Sequence, residues 1–286
     1  MTGGRSNALY RVRRASGDDA VLRICLGDRN RFRRECALLQ RFAGRLPIPR
    51  VTLADCEALP NGYFIYDYIM GSAFKVLAKT PDDESIGPAA EAAGWAIAQA
   101  GLQSPQDDAR PFRADPFLEA NDAENVPQFL AACAKSRIFA KRVGSETIAA
   151  LARLVEAWTP QLLALTSQKA LVHGDCSRSN VLVGPSHEGW DVARLIDWEF
   201  AAAGSPLIDV GHFFRYDGNR PSRIETRFAA GFRAAGGTLP DDWQGLARLA
   251  DLAALAGGLT KPYLPDGAVQ ELCTLLRATL EVYPHP

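Results

Sequence analysis

Asp175, Asn180 and Asp197 are the residues whose types and spacing suggest chemistry. The segment LVHGDCSRSNVLV, residues 171 to 183, sets Asp175 and Asn180 between two apolar runs, and WDVARLIDWEF places Asp197 at the end of the next strand. A plain hairpin turn needs only Gly, Asn or Asp at the turn. If 181–183 and 192–196 pair as an antiparallel hairpin, the flanking residues return to one end, and all three side chains face one small volume. A carboxylate with an amide oxygen is a poor zinc site. It suits Mg²⁺, a hard ion with oxygen ligands that substrate phosphates usually complete. Asp175 is then left to meet an attacking hydroxyl. The competing reading is of turn aspartates that cap local backbone.

The elements that would position these residues fall into two stretches. Residues 1–70 read as a small lobe rich in strands: ALYRVRRA and AVLRICL form a hairpin across SGDD, and YFIYDYIM at 63–70 is a further strand ended by Gly71. Between them DRNRFRRECALLQRFAG spaces Phe32, Cys36, Leu39 and Phe42 as one helix, closed by Gly44. Residues 71–286 are mostly helical in period. GPAAEAAGWAIAQAG is a helix of small residues, and GSETIAALARLVEAWTPQLLAL reads as one amphipathic helix with Ser145 as N-cap. The stretch 102–125, interrupted by Pro105, Pro111 and Pro116, reads as a loop or lid. No repeat or low-complexity tract is present.

Order and spacing together, H-G-D-x4-N followed by I-D-W-E, resemble the aminoglycoside phosphotransferase and choline kinase-like family, a small-molecule branch of the protein kinase-like fold. GGRSN, VLRI, RRE, YDYIMG and SPLIDVGHFFR extend the resemblance over nearly the whole chain. It implies an α+β bilobal fold, with a small N-terminal antiparallel sheet lobe carrying one helix and a larger, mainly helical C-terminal lobe. The implied cofactors are ATP or another nucleoside triphosphate, with Mg²⁺. Asp175 becomes the residue that orients the substrate hydroxyl and takes its proton, and Asn180 and Asp197 become the metal ligands. His173 packs beneath the catalytic loop. Arg23 stands where kinases carry the strand lysine that grips the phosphates, with Glu35 as its partner from the helix. The charge is kept, but a guanidinium is bulkier and forked. Gly3, Gly4, Ser6 and Asn7 match a shortened phosphate-covering loop. With two residues before Gly3, the strand that opens this lobe in the family is absent from the sequence. The hinge backbone at Asp67 and Ile69 reads the adenine edge, and Asp209 accepts N–H groups of the catalytic loop. Glu199 replaces the glycine of the kinase D-F-G motif.

Two absences argue against a protein substrate. Only eleven residues separate Asp197 from Asp209, too few for an activation segment, and Gly174 replaces the arginine that would read a phosphate there. The implied reaction is phosphoryl transfer to a hydroxyl of a small molecule. Residues 80–125 hold ten acids against Arg110 and Arg113, which favours a cationic acceptor such as an aminoglycoside or another amine-bearing natural product. Phe112, Phe117 and Trp95 could line an apolar pocket instead. A nucleotide-binding pseudokinase is the second reading: Arg23 and the short loop favour it, and intact Asp175, Asn180 and Asp197 oppose it. Residues 1–50 carry twelve Arg against Asp18, Asp19, Asp28 and Glu35, yet nothing resembles a recognition helix or an aromatic platform for nucleic acid. Six scattered cysteines without metal spacing fit free thiols in a reducing compartment. No stretch reaches 18 apolar residues and the N-terminus lacks a signal's apolar core, so a soluble cytoplasmic protein is expected.

Overall fold

The computed structural model describes residues 7–55, 62–79, 86–104, 125–186, 189–217 and 224–283. In chain order the first elements are β1 (Asn7–Arg13), β2 (Asp19–Cys25), α1 (Arg29–Arg41), β3 (Val51–Asp55), β4 (Tyr63–Asp67), β5 (Ser72–Ala73), α2 (Phe74–Leu77) and α3 (Ile86–Gly101). Four helices follow: α4 (Val126–Lys135), α5 (Arg137–Val143), α6 (Ser145–Ala157) and α7 (Thr159–Ser167). Then come β6 (Ala170–Val172), β7 (Val181–Ser186), β8 (Gly189–Leu195), β9 (Ala202–Gly204), α8 (Leu207–Phe214), α9 (Glu225–Ala234), α10 (Trp243–Thr260) and α11 (Asp266–Val282). By contacts the chain forms two compact units interleaved along the sequence. One comprises 1–100, 178–201 and 224–237, the other 101–177, 202–223 and 238–286. These units do not part at residue 70, where the sequence reading places its boundary between roles.

In the first unit β1, β2, β4 and β3 form an antiparallel sheet in that order. The β1–β2 hairpin closes where the Arg14 N–H donates to the Asp18 carbonyl at 2.8 Å, and Gly17 takes φ +92°, a conformation that costs glycine little. Asp28 caps α1 by accepting the N–H groups of Asn30 and Arg31, satisfying donors that the first helical turn leaves open. The apolar stripe of α1 buries Phe32, Cys36 and Leu39, with the Phe32 ring stacked on Phe64 of β4 at 4.8 Å. The strand read over 63–70 stops at Asp67. β3, whose residues are mostly exposed, lies at the edge of the sheet and lacks the alternation that would have marked it.

Also in this unit, β5, β7 and β8 form a second antiparallel sheet. The small residues of α3 have a packing reason. A Cβ at Gly94 would collide with the Phe228 carbonyl and one at Gly231 with the Glu91 carbonyl, so two glycines let α3 and α9 approach backbone to backbone.

The second unit holds α4 to α8, α10 and α11, with β6 paired antiparallel to β9. Its interior is supplied by Leu130, Phe139, Leu162, Phe213, Leu252 and Leu276 among others, all fully or nearly fully buried. The helix expected to run continuously from Ser145 is two helices, α6 and α7, bent by 72° at Trp158. Pro160 in the first turn of α7 has no N–H to continue the α6 ladder and is well suited to starting a new helix. Gly144 at φ +84°, rather than Ser145, occupies the N-cap of α6. No single helix among the described residues is long and apolar enough to cross a membrane. The described cysteines are free and buried, as expected; Cys56 lies outside the described residues.

Candidate active site

The first unit carries a buried ionic cluster around Arg23. On β2, Arg23 lies opposite Leu9 of β1 and Phe64 of β4, so its side chain leaves the centre of the sheet. Its Nη1 donates to Glu35 Oε1 at 2.9 Å, and its Nη2 lies 2.8 Å from Glu35 Oε2 and donates to Asp197 Oδ1 at 2.7 Å. Glu35 Oε1 also accepts the Trp198 N–H at 3.0 Å. Burial pushes the Glu35 carboxyl up to about 8 against the downward pull of Arg23, while the nearby Asp197 charge adds to the rise. The same burial raises the Tyr66 phenol to about 12. The pairing expected of Arg23 and Glu35 is therefore present, and Asp197 joins it.

The hairpin geometry read from the sequence also forms. β7 and β8 are antiparallel, with Val181 opposite Leu195 and a bulge between Leu182 and Val183. One step beyond, the Ile196 N–H donates to the Asn180 carbonyl at 3.0 Å, which holds Asn180 and Asp197 at the same end of the hairpin. Asp197 takes φ +68° and is the single non-glycine residue with positive φ among those described. Asp tolerates that conformation better than most residues. No three His, Cys, Asp or Glu side chains group as a metal cage among the described residues. A hard ion completed by phosphate oxygens fits this donor set, a carboxylate and an amide, better than zinc does.

At the hinge, the Asp67 carboxylate accepts from Arg14 Nη2 at 2.8 Å and Arg50 Nε at 3.1 Å. Burial pushes this carboxyl up, but those hydrogen bonds outweigh it and bring it below its usual value. The Asp67 N–H donates to the Arg50 carbonyl at 3.2 Å. Ile69 follows β4, half-buried. Asn7 opens β1 opposite Cys25 and is buried. Ser6, Gly3 and Gly4 of the expected phosphate-covering loop lie outside the described residues, as do most of the expected lid and the acids and aromatics on it, including Phe112 and Phe117.

Asp175 belongs to the second unit and Asn180 and Asp197 to the first. It follows β6 by way of His173 and Gly174, and Gly174 takes φ +78°. Asp209, in the first turn of α8, accepts the His173 N–H at 2.7 Å and the Gly174 N–H at 3.0 Å, anchoring the loop. Burial raises the Asp209 carboxyl to about 7 although both N–H groups favour its charge. His173 is fully buried, and its Nδ1 accepts the Asp175 N–H at 3.3 Å, the supporting role expected of it.

Sequence reasoning missed a second buried ionic group in this unit. Arg215, just past α8, donates from Nε to Asp251 Oδ2 of α10 at 2.9 Å, and His212 Nε2 lies 3.3 Å from Asp251 Oδ1. Gly211 permits this, because a Cβ there would strike the Ala247 carbonyl and hold α8 away from α10. The one available signal was the arginine ending SPLIDVGHFFR, whose partner lies 36 residues away.

A strand arginine ion-paired to a helix glutamate, and a chain that runs through Asp175 and Asn180 and a strand hairpin to Asp197, are the framework of an α+β, bilobal, protein kinase-like phosphotransferase. The profile of the phosphotransferase enzyme family (APH) matches residues 1–252, and the chain belongs to that family. The chain resembles the GDP complex of a mutant aminoglycoside 2'-phosphotransferase-IIIa, with TM-score 0.71 and 17% identity, covering 99% of this chain and 91% of the other. A thermostable mutant of aminoglycoside phosphotransferase APH(4)-Ia, in ternary complex with ADP and hygromycin B, gives TM-score 0.65 and 18% identity over 98% and 92%. Macrolide 2'-phosphotransferase MphH from Brachybacterium faecium gives 0.59 and 21% over 96% and 89%. These are likenesses of fold. Acyl-CoA dehydrogenase family member 10 of Mus musculus is 26% identical over 218 residues, 73% of this chain, and the chain spans 19% of that protein's length.

Proposed function

We propose that the protein is a small-molecule kinase that uses Mg²⁺ and moves the γ-phosphoryl group of ATP to a hydroxyl. The observation that carries this reading is the Arg23–Glu35–Asp197 cluster with Asn180 fixed at the same hairpin end. Residues 1–70 hold the nucleotide and 71–286 supply catalysis and the acceptor site. Arg23 grips phosphate oxygens, Glu35 orients Arg23, Ser6 and Asn7 belong to the loop over the phosphates, and the backbone at Asp67 and Ile69 reads the base. Asn180 and Asp197 hold the metal, which supplies charge neutralisation of the phosphates when bound. Asp175 orients the acceptor hydroxyl and takes its proton, while Asp209 keeps the loop backbone in place. Phosphoryl transfer asks for little more than such positioning and charge stabilisation.

For the acceptor we favour a cationic natural product such as an aminoglycoside, on the strength of the acidic run at 80–125. Two fold neighbours, aminoglycoside phosphotransferases in complex with hygromycin B and with kanamycin, are in keeping with that chemistry. The test is ADP release from ATP and Mg²⁺ across aminoglycosides, macrolides, amino alcohols, sugars and nucleosides, with Asp175→Ala as control. Turnover that depends on acceptor and is lost in the variant supports the kinase. Nucleotide binding without turnover for any acceptor supports the pseudokinase, and no nucleotide binding overturns both.

A further inference from the structure

Arg23 does more in this protein than wait for phosphate. Its side chain is 5% exposed and that of Glu35 1%, whereas the Asp197 side chain is 38% exposed. The Arg23–Glu35 half of the cluster is thus locked in the interior, and the Asp197 half opens towards solvent. Nη2 is shared: it faces Glu35 Oε2 and Asp197 Oδ1 at once, at 2.8 and 2.7 Å. Phe64 lies under the guanidinium, with its ring centroid 5.6 Å from Cζ. Asp197 accepts this bond from a left-handed backbone, the kind of strained position that recurs in switch regions.

We propose that Arg23 is a latch on Asp197, its guanidinium occupying a carboxylate oxygen that a divalent cation would otherwise take. The inference rests on the phosphotransferase reading. Metal alone must compete with a part-buried, oriented, charge-assisted hydrogen bond. Phosphate oxygens offer Arg23 another acceptor, so nucleotide can draw the fork from Asp197 and release the metal ligand. The two bindings are then coupled through one side chain, and coupling of this kind is reciprocal. A lysine at this position keeps the charge but is a compact point donor without the planar fork, and holds Asp197 less firmly while paired to Glu35.

The experiment is Mn²⁺ binding to the full chain without nucleotide, followed by electron paramagnetic resonance, for wild type, Arg23→Lys, Arg23→Gln and Asp197→Asn, each first checked for a cooperative melt. The latch predicts that Arg23→Lys binds Mn²⁺ about five- to tenfold more tightly than wild type, a coupling of ordinary size, and that Asp197→Asn loses the site. Unchanged affinity in the lysine variant, with a gain in Arg23→Gln alone, would mean simple charge repulsion and would overturn the latch. Should Arg23→Lys fail to melt cooperatively, no gain in Arg23→Gln overturns the latch. ADP binding to wild type in chelator is measured alongside. Its absence would sink the kinase reading without touching the Mn²⁺ comparison.

Discussion

The two buried ionic groups of this chain contain similar residues and are built for different ends. Around Arg23 one cation faces two carboxylates, Glu35 and Asp197, and one of those is open to solvent. Around Asp251 one carboxylate faces one arginine and a histidine that burial, aided by the Arg215 charge, keeps neutral down to about pH 3. The second group is balanced and closed: the Arg215 and Asp251 side chains are 12% and 6% exposed. The first leaves the Asp197 carboxylate partly exposed, so that another cation can reach it. A half-open ionic cluster can receive a ligand, and a sealed one holds helices in register.

The sharpest way to break this comparison is to remove one carboxylate from each group. Asp197→Ala leaves Arg23 paired to Glu35, so the protein should melt within a few degrees of wild type while turnover falls by about 10³-fold or more, as expected on losing a group that helps neutralise the transferring phosphoryl. Asp251→Ala strands Arg215 in the interior, and chemical denaturation should show a loss of about 3–5 kcal/mol. A large stability loss for Asp197→Ala together with intact turnover would reverse the two assignments. Replacing Arg215 and Asp251 together by apolar residues of similar volume should recover much of the loss, since a buried pair contributes little beyond its apolar equivalent.

A smaller effect tests the closed group by pH. His212 titrates near 3 in the folded protein against 6.5 ordinarily, so between those values the unfolded chain binds a proton that the folded one does not. Its contribution is present above pH 6.5 and is lost as pH falls towards 3, at up to about 1.4 kcal/mol per pH unit. Asp209 works in the opposite sense. Raised to about 7 from 3.8, its contribution is present at low pH and is lost as pH rises through that window. Wild-type stability alone would therefore hide both slopes. The difference between wild type and His212→Gln isolates the histidine: the variant should lose less stability on acidification from pH 6.5 to 4, and parallel curves would show that His212 is not held neutral.

The two groups also differ in how readable they were. Asn180 and Asp197 were legible because a hairpin's register is local, and 181–183 against 192–196 left few alternatives. Arg23 and Glu35 lie twelve residues apart on adjoining strand and helix, and resemblance supplied their pairing. Arg215 and Asp251 sit on helices brought together by the missing Cβ of Gly211, a tertiary fact with no periodic trace. For the same reason β3 went unread: an exposed edge strand is stabilised by its ladder to β4, while its own pattern carries no burial. The bend at Trp158 was signalled by Pro160 but masked by an apolar stripe that runs through both α6 and α7.

The smallest expected effect belongs to the hinge, which resembles neither buried group. Asp67 is braced by Arg14 and Arg50 near the surface, and its N–H is committed to Arg50, which leaves its carbonyl for the proposed contact with the base. Exposed pairs of this kind contribute under about 1 kcal/mol because water already solvates both partners. Asp67→Ala should accordingly shift the melting temperature slightly and alter KM for ATP by about twofold at most, roughly 0.4 kcal/mol of ground-state binding. The kinetics decide between two readings of the residue. A tenfold rise in KM at unchanged kcat would mean that the Asp67 carboxylate itself contacts the nucleotide, and the hinge would then join Asp197 as a proposed place where an open carboxylate meets ligand.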